Sequence, residues 1–156
     1  MRLKELIEKG QIVVPGIYDC ISSRAVELTG FQACFLSDTG VSYSWCGVPA
    51  LGLVNAEEML WFVSRITDYV DLPVVVSAGH GYDGTGSAVY RTVKRMAKAG
   101  AAAVLIDDGG SCHGSERTGS QEVVSQTAWK NKILAAKMAA EGTDCLVIAL
   151  SMAKDI

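Results

Sequence analysis

The sequence predicts an α/β fold built on a parallel sheet, and three observations carry that reading. Five short apolar runs, "QIVVPG", "ACFLS", "LPVVVSA", "AAAVLIDD" and "CLVIAL", are continuous rather than alternating, as strands buried on both faces must be. Segments of helical length separate them, the pattern of right-handed β–α–β units. Each run also empties into small or acidic residues: Pro15-Gly16, Ser37-Asp38-Thr39-Gly40, Ser77-Ala78-Gly79-His80, Asp107-Asp108 and Leu150-Ser151. Parallel α/β folds bind their ligands at such strand ends. Two architectures fit: a doubly wound five-stranded sheet, and the first part of a (β/α)8 barrel, which normally takes about 250 residues.

The elements follow in order. Residues 2–9 read as a short amphipathic helix with Leu3, Leu6 and Ile7 on one face. "QIVVPG" is a strand stopped by Pro-Gly. "DCISSRAVELTG" is a helix with Asp19 as N-cap, an apolar stripe of Ile21, Ala25 and Leu28, and Gly30 as its stop. After "ACFLS", residues 38–52 read as a Gly- and Ser-rich loop. "NAEEMLWFVSRITDYV" is the clearest helix, capped by Asn55 with Glu57 and Glu58 in its first turn. "SAVYRTVKRMAKAG" and "TAWKNKILAAKMAAEG" are the later helices, and residues 109–121 form a polar loop.

The 156 residues make one domain, 1–156, long enough to bury a sizeable core. A hydrophobic share of 49% with 20% charged residues suits a globular protein. The net charge of -3 gives no electrostatic reason to expect nucleic acid or an anionic membrane as partner. No run reaches the length of a membrane span, and "MRLKELIEKG" has no signal-peptide core. A cytoplasmic location is the expectation. The five cysteines, Cys20, Cys34, Cys46, Cys112 and Cys145, show no C-x-x-C spacing. That speaks against structural zinc and against a disulfide framework.

"VPGIYDCISSRAVELTGFQACFLSDTGVS", "GVPALGLV", "LPVVVSAGHGY", "VYRTVKRMAKAGAAAVLIDD" and "QEVV" occur in an order and spacing that resemble the isocitrate lyase/phosphoenolpyruvate mutase superfamily, its 2-methylisocitrate lyase-like members above all. The likeness runs from Leu3 to Leu150. It implies an incomplete (β/α)8 TIM barrel, with this chain supplying about the first five strands. It also implies a lyase of carboxylic acid metabolism. Such enzymes work beside a 2-oxo acid carboxylate and hold an enolate-like intermediate on Mg2+ or Mn2+, a hard cation that needs oxygen ligands.

The resemblance assigns substrate contact to Phe35, Ser37, Asp38, Thr39 and Gly40. Within that set, Asp38 stands where the family has glycine and places a negative charge where a carboxylate should be gripped. Ala50 replaces the acidic residue of Pro-Asp-Leu-Gly, and Ser77 and Gly79 replace the two metal-reaching carboxylates of Asp-Ala-Asp. Asp107 and Asp108 match Glu-Asp and are the metal-ligand candidates that remain. Equal spacing sets Ser115 at the acid–base Cys, with Cys112-His113 close by, and Leu150 at a lost arginine.

The residues themselves leave alternatives open. His80 is either a new metal ligand or base, or a hydrogen-bonded loop residue. Asp83 either replaces a lost carboxylate or serves turn and helix-cap chemistry before Thr85. Asp107 and Asp108 either face a site or cap the next helix. Trp45, Trp61 and Trp129 read as packing residues, and Arg91, Lys94, Arg95 and Lys98 as a solvated helix face. The expected function is that of a truncated lyase homologue with lost or much reduced activity. The alternatives are an active enzyme of altered specificity on a small 2-oxo or 2-hydroxy acid, and a non-catalytic half-barrel that assembles with itself or a partner. A homo-oligomer is expected in any case.

Overall fold

A computed structural model of the chain describes residues 2–49, 52–110 and 123–153. The elements are α1 (Leu3–Lys9), β1 (Gly16–Ile17), α2 (Cys20–Leu28), β2 (Cys34–Leu36), α3 (Asp38–Val41) running into a π-helical turn (Ser42–Cys46), α4 (Ala56–Tyr69), β3 (Val74–Ser77), α5 (Gly86–Lys98), β4 (Ala103–Asp107), α6 (Gln126–Ala140) and β5 (Leu146–Leu150). All five strands are parallel and lie in chain order, β1-β2-β3-β4-β5. That order decides between the two architectures. A doubly wound sheet of this size crosses over to the order 2-1-3-4-5, whereas a barrel adds each strand beside the last. The fold is therefore the incomplete (β/α)8 barrel.

The register fixes two layers. Phe35 pairs with Val75, Val75 with Ala103 and Ala103 with Leu146. These residues gather on one face with Leu3, Ala33 and Ile148. One residue along, Leu36, Val76, Val104 and Val147 point the other way. They meet Met59, Val63 and Ile66 of α4, Val89, Val93 and Met96 of α5, and Ala136 and Ala139 of α6.

The local signals at helix starts hold. Asn55 accepts from the amides of Glu57 and Glu58, and Asp19 from Ser22. Other expectations need correction. The first strand lies at Gly16–Ile17, beginning on the glycine of Pro15-Gly16 rather than ending before it. Just before it, the Pro15 carbonyl accepts from the Phe35 amide at 2.8 Å. Residues 38–46 are helical rather than loop, since the Ser37 hydroxyl caps α3 by accepting from the Gly40 amide. On α2 the apolar stripe faces outward: Ile21 is 81% and Leu28 72% exposed, while Ser23 is buried. The sheet takes the face with the small residues. Trp129 packs on the core as expected. Trp45 and Trp61 lie half exposed against the two sides of Phe62. Arg91 and Arg95 pair with Glu57 across to α4.

Both sheet edges carry apolar surface. Beside β1 stand Val13, Ile21 and Leu28; beside β5 stand Leu134, Met138 and Leu150, all exposed. Cys34 and Cys145 are buried, and burial pushes their thiols up to about 12 and about 11 respectively. No helix among the described residues is long and apolar enough to cross a membrane.

The turn after β3 is packed tightly enough to test. Gly81 has φ +92, and a Cβ there would lie 2.4 Å from Val89 Cγ2. Gly81→Ala is expected to cost about 3 kcal/mol, from left-handed strain together with overpacking. Urea denaturation measures it, and a loss below about 1 kcal/mol would mean that the turn and α5 separate easily.

Candidate functional site

The charged side chains gather at the carboxyl ends of β2, β3 and β4. Asp38 begins α3 directly after β2. Asp107 is the last residue of β4. Between them runs the turn after β3, where Gly79 has φ +51 and no side chain. A Cβ on Gly79 would lie 3.6 Å from Asp38 Oδ2 and 3.7 Å from Asp107 Oδ2. Two carboxylates thus converge over one glycine. The turn is tied down by its backbone: the Asp107 amide donates to the Gly79 carbonyl at 2.9 Å, and the Gly81 amide to the Ala78 carbonyl at 2.9 Å.

The two neighbouring aspartates part company. Asp107 Oδ1 accepts from the Gly109 amide at 2.9 Å, and its other oxygen faces the Gly79 cleft. Asp108 is 4% exposed. It accepts from the Ser151 hydroxyl at 2.6 Å and the Met152 amide at 2.9 Å, clamping the end of β4 to the end of β5. Asp107 thus opens on the cleft, while Asp108 neither faces it nor caps the next helix but holds the residues after β5.

Burial sets the protonation of the cluster. It pushes the Asp107 carboxyl above its usual range; the Gly109 amide, His80 and Lys132 pull it down, and Asp38 pushes it further up. His80 sits between Gly84 and Gly109. Its imidazole is driven below the usual value by burial, with Asp107, the Tyr82 backbone and Asp38 pulling upward and Lys132 adding to the fall. Tyr82 has φ +69, and its buried hydroxyl has no hydrogen-bond partner among the described residues. Burial, and then the Asp38 charge, raise its phenol well above the usual range.

The other candidates are spread out. Ser37 is committed to its helix cap. Phe35 packs in the inner apolar layer. Thr39 and Gly40 are half-buried, and the Gly40 backbone lies against Tyr18. Asp83 is exposed and lines a cavity of about 370 Å3 between α4 and α5, while Thr85 takes the cap of α5. Ala50, Cys112, His113 and Ser115 lie outside the described residues.

One participant escaped sequence reasoning. Lys132 of α6 is 1% exposed, donates to the Gly109 carbonyl at 2.9 Å and feels the charges of Asp107 and Asp108. The signal was there: Lys132 falls in the apolar stripe with Trp129, Ala136 and Ala139, where a solvated lysine has no place.

A parallel sheet in chain order, with its buried charges at the strand ends, defines the class as a (β/α)-barrel protein with a strand-end site. The family model described as phosphoenolpyruvate phosphomutase matches residues 3–150. The chain belongs to the phosphoenolpyruvate mutase/isocitrate lyase superfamily. It is 36% identical to the 2-methylisocitrate lyase of Aeropyrum pernix over 155 residues, 99% of this chain and 49% of that protein. A structure of oxaloacetate acetylhydrolase in complex with the product oxalate matches with a TM-score of 0.86 at 27% identity, over 97% of this chain and 52% of the other. Phosphonopyruvate hydrolase, solved with oxalate and Mg2+, matches in fold with a TM-score of 0.83 at 23% identity, over 94% and 49% of the two chains. The chain spans about half the length of the curated relatives it matches.

The metal that the family uses can be tested against the donors present. Ser77 and Gly79 bring no carboxylate. Asp108 is turned away into its clamp. Among the described residues no group of three or more His, Cys, Asp or Glu side chains is arranged to hold a metal ion. A hard cation needs several oxygen ligands, and the described donors do not fit that set.

The His80 imidazole gives a pH dependence with a definite sign. Its folded pKa is lowered below 6.5, so the unfolded chain binds the proton more readily. Its contribution is present above about 6.5 and is lost as pH falls. Asp107, raised when folded, acts oppositely and in the carboxylate range. Between about pH 7.5 and 5.5 the wild-type protein is expected to lose stability on acidification, and His80→Gln to lose clearly less. Urea midpoints across that interval report it; parallel profiles for the two proteins would assign the loss to other groups.

Proposed function

We propose that this chain is a lyase homologue, kin to enzymes of 2-methylisocitrate-like acids, in which the lyase reaction is lost or much reduced. The observation that carries this reading is the pair of carboxylates, Asp38 and Asp107, facing each other across Gly79. A 2-oxo acid anion entering there meets two acidic oxygens and no described set of cation ligands. The electrostatic stabilisation of an enolate, worth several kcal/mol when a metal supplies it, then has no evident source. A second reading, an altered activity on a small 2-oxo or 2-hydroxy acid, is favoured by one feature. Asp107, with its raised pKa, sits beside a His80 held toward its neutral form, a pairing suited to proton transfer.

One experiment separates the two. Purified protein is assayed for pyruvate or glyoxylate release from 2-methylisocitrate and isocitrate, with Mn2+ binding followed by calorimetry. No turnover above background and no micromolar Mn2+ affinity are expected. Turnover that vanishes in Asp107→Asn would favour the altered enzyme, and micromolar Mn2+ affinity lost in the same variant would restore the metal-dependent one.

The edges support a further part of the proposal: the chain associates with a second copy or a partner. Exposed Ile21 and Leu28 at one side, and Leu134 and Met138 at the other, lie by the edge strands β1 and β5, each of which pairs on one side only among the described residues. Covering about 400 Å2 of such surface is worth on the order of 10 kcal/mol. Light scattering at micromolar concentration should show a dimer or larger species, shifted toward monomer by Leu134→Glu with Met138→Glu. A wild-type monomer with a cooperative melt would refute self-association.

A further inference from the structure

Lys132 is the only buried lysine or arginine among the described residues. Burying an ammonium is costly unless it is paired and hydrogen-bonded, and a methionine at the same place would fill the volume without that cost. Lys132 recovers part of the cost at one point, the Gly109 carbonyl, 2.9 Å from Nζ. On its other side, Gly109 donates its amide to Asp107 Oδ1, also at 2.9 Å. The two peptides that flank the Gly109 Cα are therefore both held, one by the lysine and one by the aspartate. A Cβ on Gly109 would stand 2.9 Å from Asp107 Oδ1, so the loop approaches the carboxylate as closely as a glycine permits. With Oδ1 fixed in this way, Asp107 Oδ2 is left on the Gly79 side, opposite Asp38.

We infer that Lys132 is a positioning residue, which acts through Gly109 to fix the Asp107 carboxylate over Gly79. The inference goes beyond the proposed function, and it holds whether or not the chain turns over a substrate. A purely structural lysine would dock α6 on the end of β4 and leave the Asp107 rotamer unaffected by its loss.

Nuclear magnetic resonance on the whole chain distinguishes the two roles. In the wild-type protein the Asp107 χ1 couplings should report one rotamer, and the Gly109 amide should be protected from exchange. In Lys132→Met the Gly109 amide should exchange about tenfold faster, as expected when one hydrogen bond of a held loop is released. The Asp107 couplings should average over rotamers, while the amides of Val104 and Ile106 keep their protection. An unchanged Asp107 rotamer in a folded Lys132→Met would overturn the inference. Should that variant fail to fold, Gly109→Ala carries the test, because it leaves Lys132 in place and crowds Asp107 Oδ1 directly. Asp107 should then leave its single rotamer, and an undisturbed rotamer would refute the Gly109 link.

Discussion

A parallel sheet covered on both faces offers each side chain only two destinations, and successive residues must alternate between them. That constraint organises everything else in this chain. Along β4 it sends Ala103 and Asp107 to the inner layer and Val104, Ile106 and Asp108 to the helix side. Adjacent carboxylates, chemically identical, thus acquire different work. Asp107 ends the inner row and opens on the Gly79 cleft. Asp108 ends the outer row and is consumed by Ser151 and Met152. The same parity sends Val75 inward and Val76 outward on β3, so the turn after it begins from a fixed phase.

What the sequence made legible was local or strictly periodic. The second to fifth apolar strands, the Asn55 and Asp19 caps and the helix stops follow from backbone chemistry within a few residues. The face that α2 buries did not, because the choice between Ile21 and Ser23 is made by how closely the sheet approaches, a tertiary quantity. The helical run at 38–46 was hidden by its Gly and Ser content, although Ser37 is itself the cap that starts it. In the site, Asp38, His80 and Asp107 were visible as strand-end residues. Their convergence was not, since it depends on Gly79 lacking a side chain between two strands far apart in sequence. Lys132 lies in a different helix, and only its place in the apolar stripe of Trp129, Ala136 and Ala139 marks it in the sequence.

Burial opposes the charged forms of several groups in the cluster together. The Asp38 charge in the same cleft, and above all burial, raise the cost of ionising Asp107. The upward push on Asp107 and the downward push on His80 express that cost from opposite sides. Lys132, itself held below its usual pKa by burial, pulls Asp107 back down. Glycines at 79, 81 and 109 permit the close approach, each where a Cβ would touch a neighbouring side chain. Ser77 and Gly79 carry no carboxylate, and the acidic oxygens of the cleft come from Asp38 and Asp107 at the ends of the flanking strands.

The position of this cluster bears on how the edges relate to the site. Asp38, Gly79 and Asp107 belong to β2, β3 and β4, the centre of the five-stranded sheet, and each central ladder is complete within the chain. The exposed apolar surface lies outside them, beside β1 and along β5 and α6. A partner at either edge does not need to build the central cluster. One connection nevertheless crosses from edge to centre. Asp108 binds the first residues after β5, and its backbone is continuous with Asp107 and with the Gly109 loop that Lys132 of α6 holds. Both holds on the rear of the site thus come from the segment after β5 and from α6, at the edge where Leu134, Met138 and Leu150 are exposed.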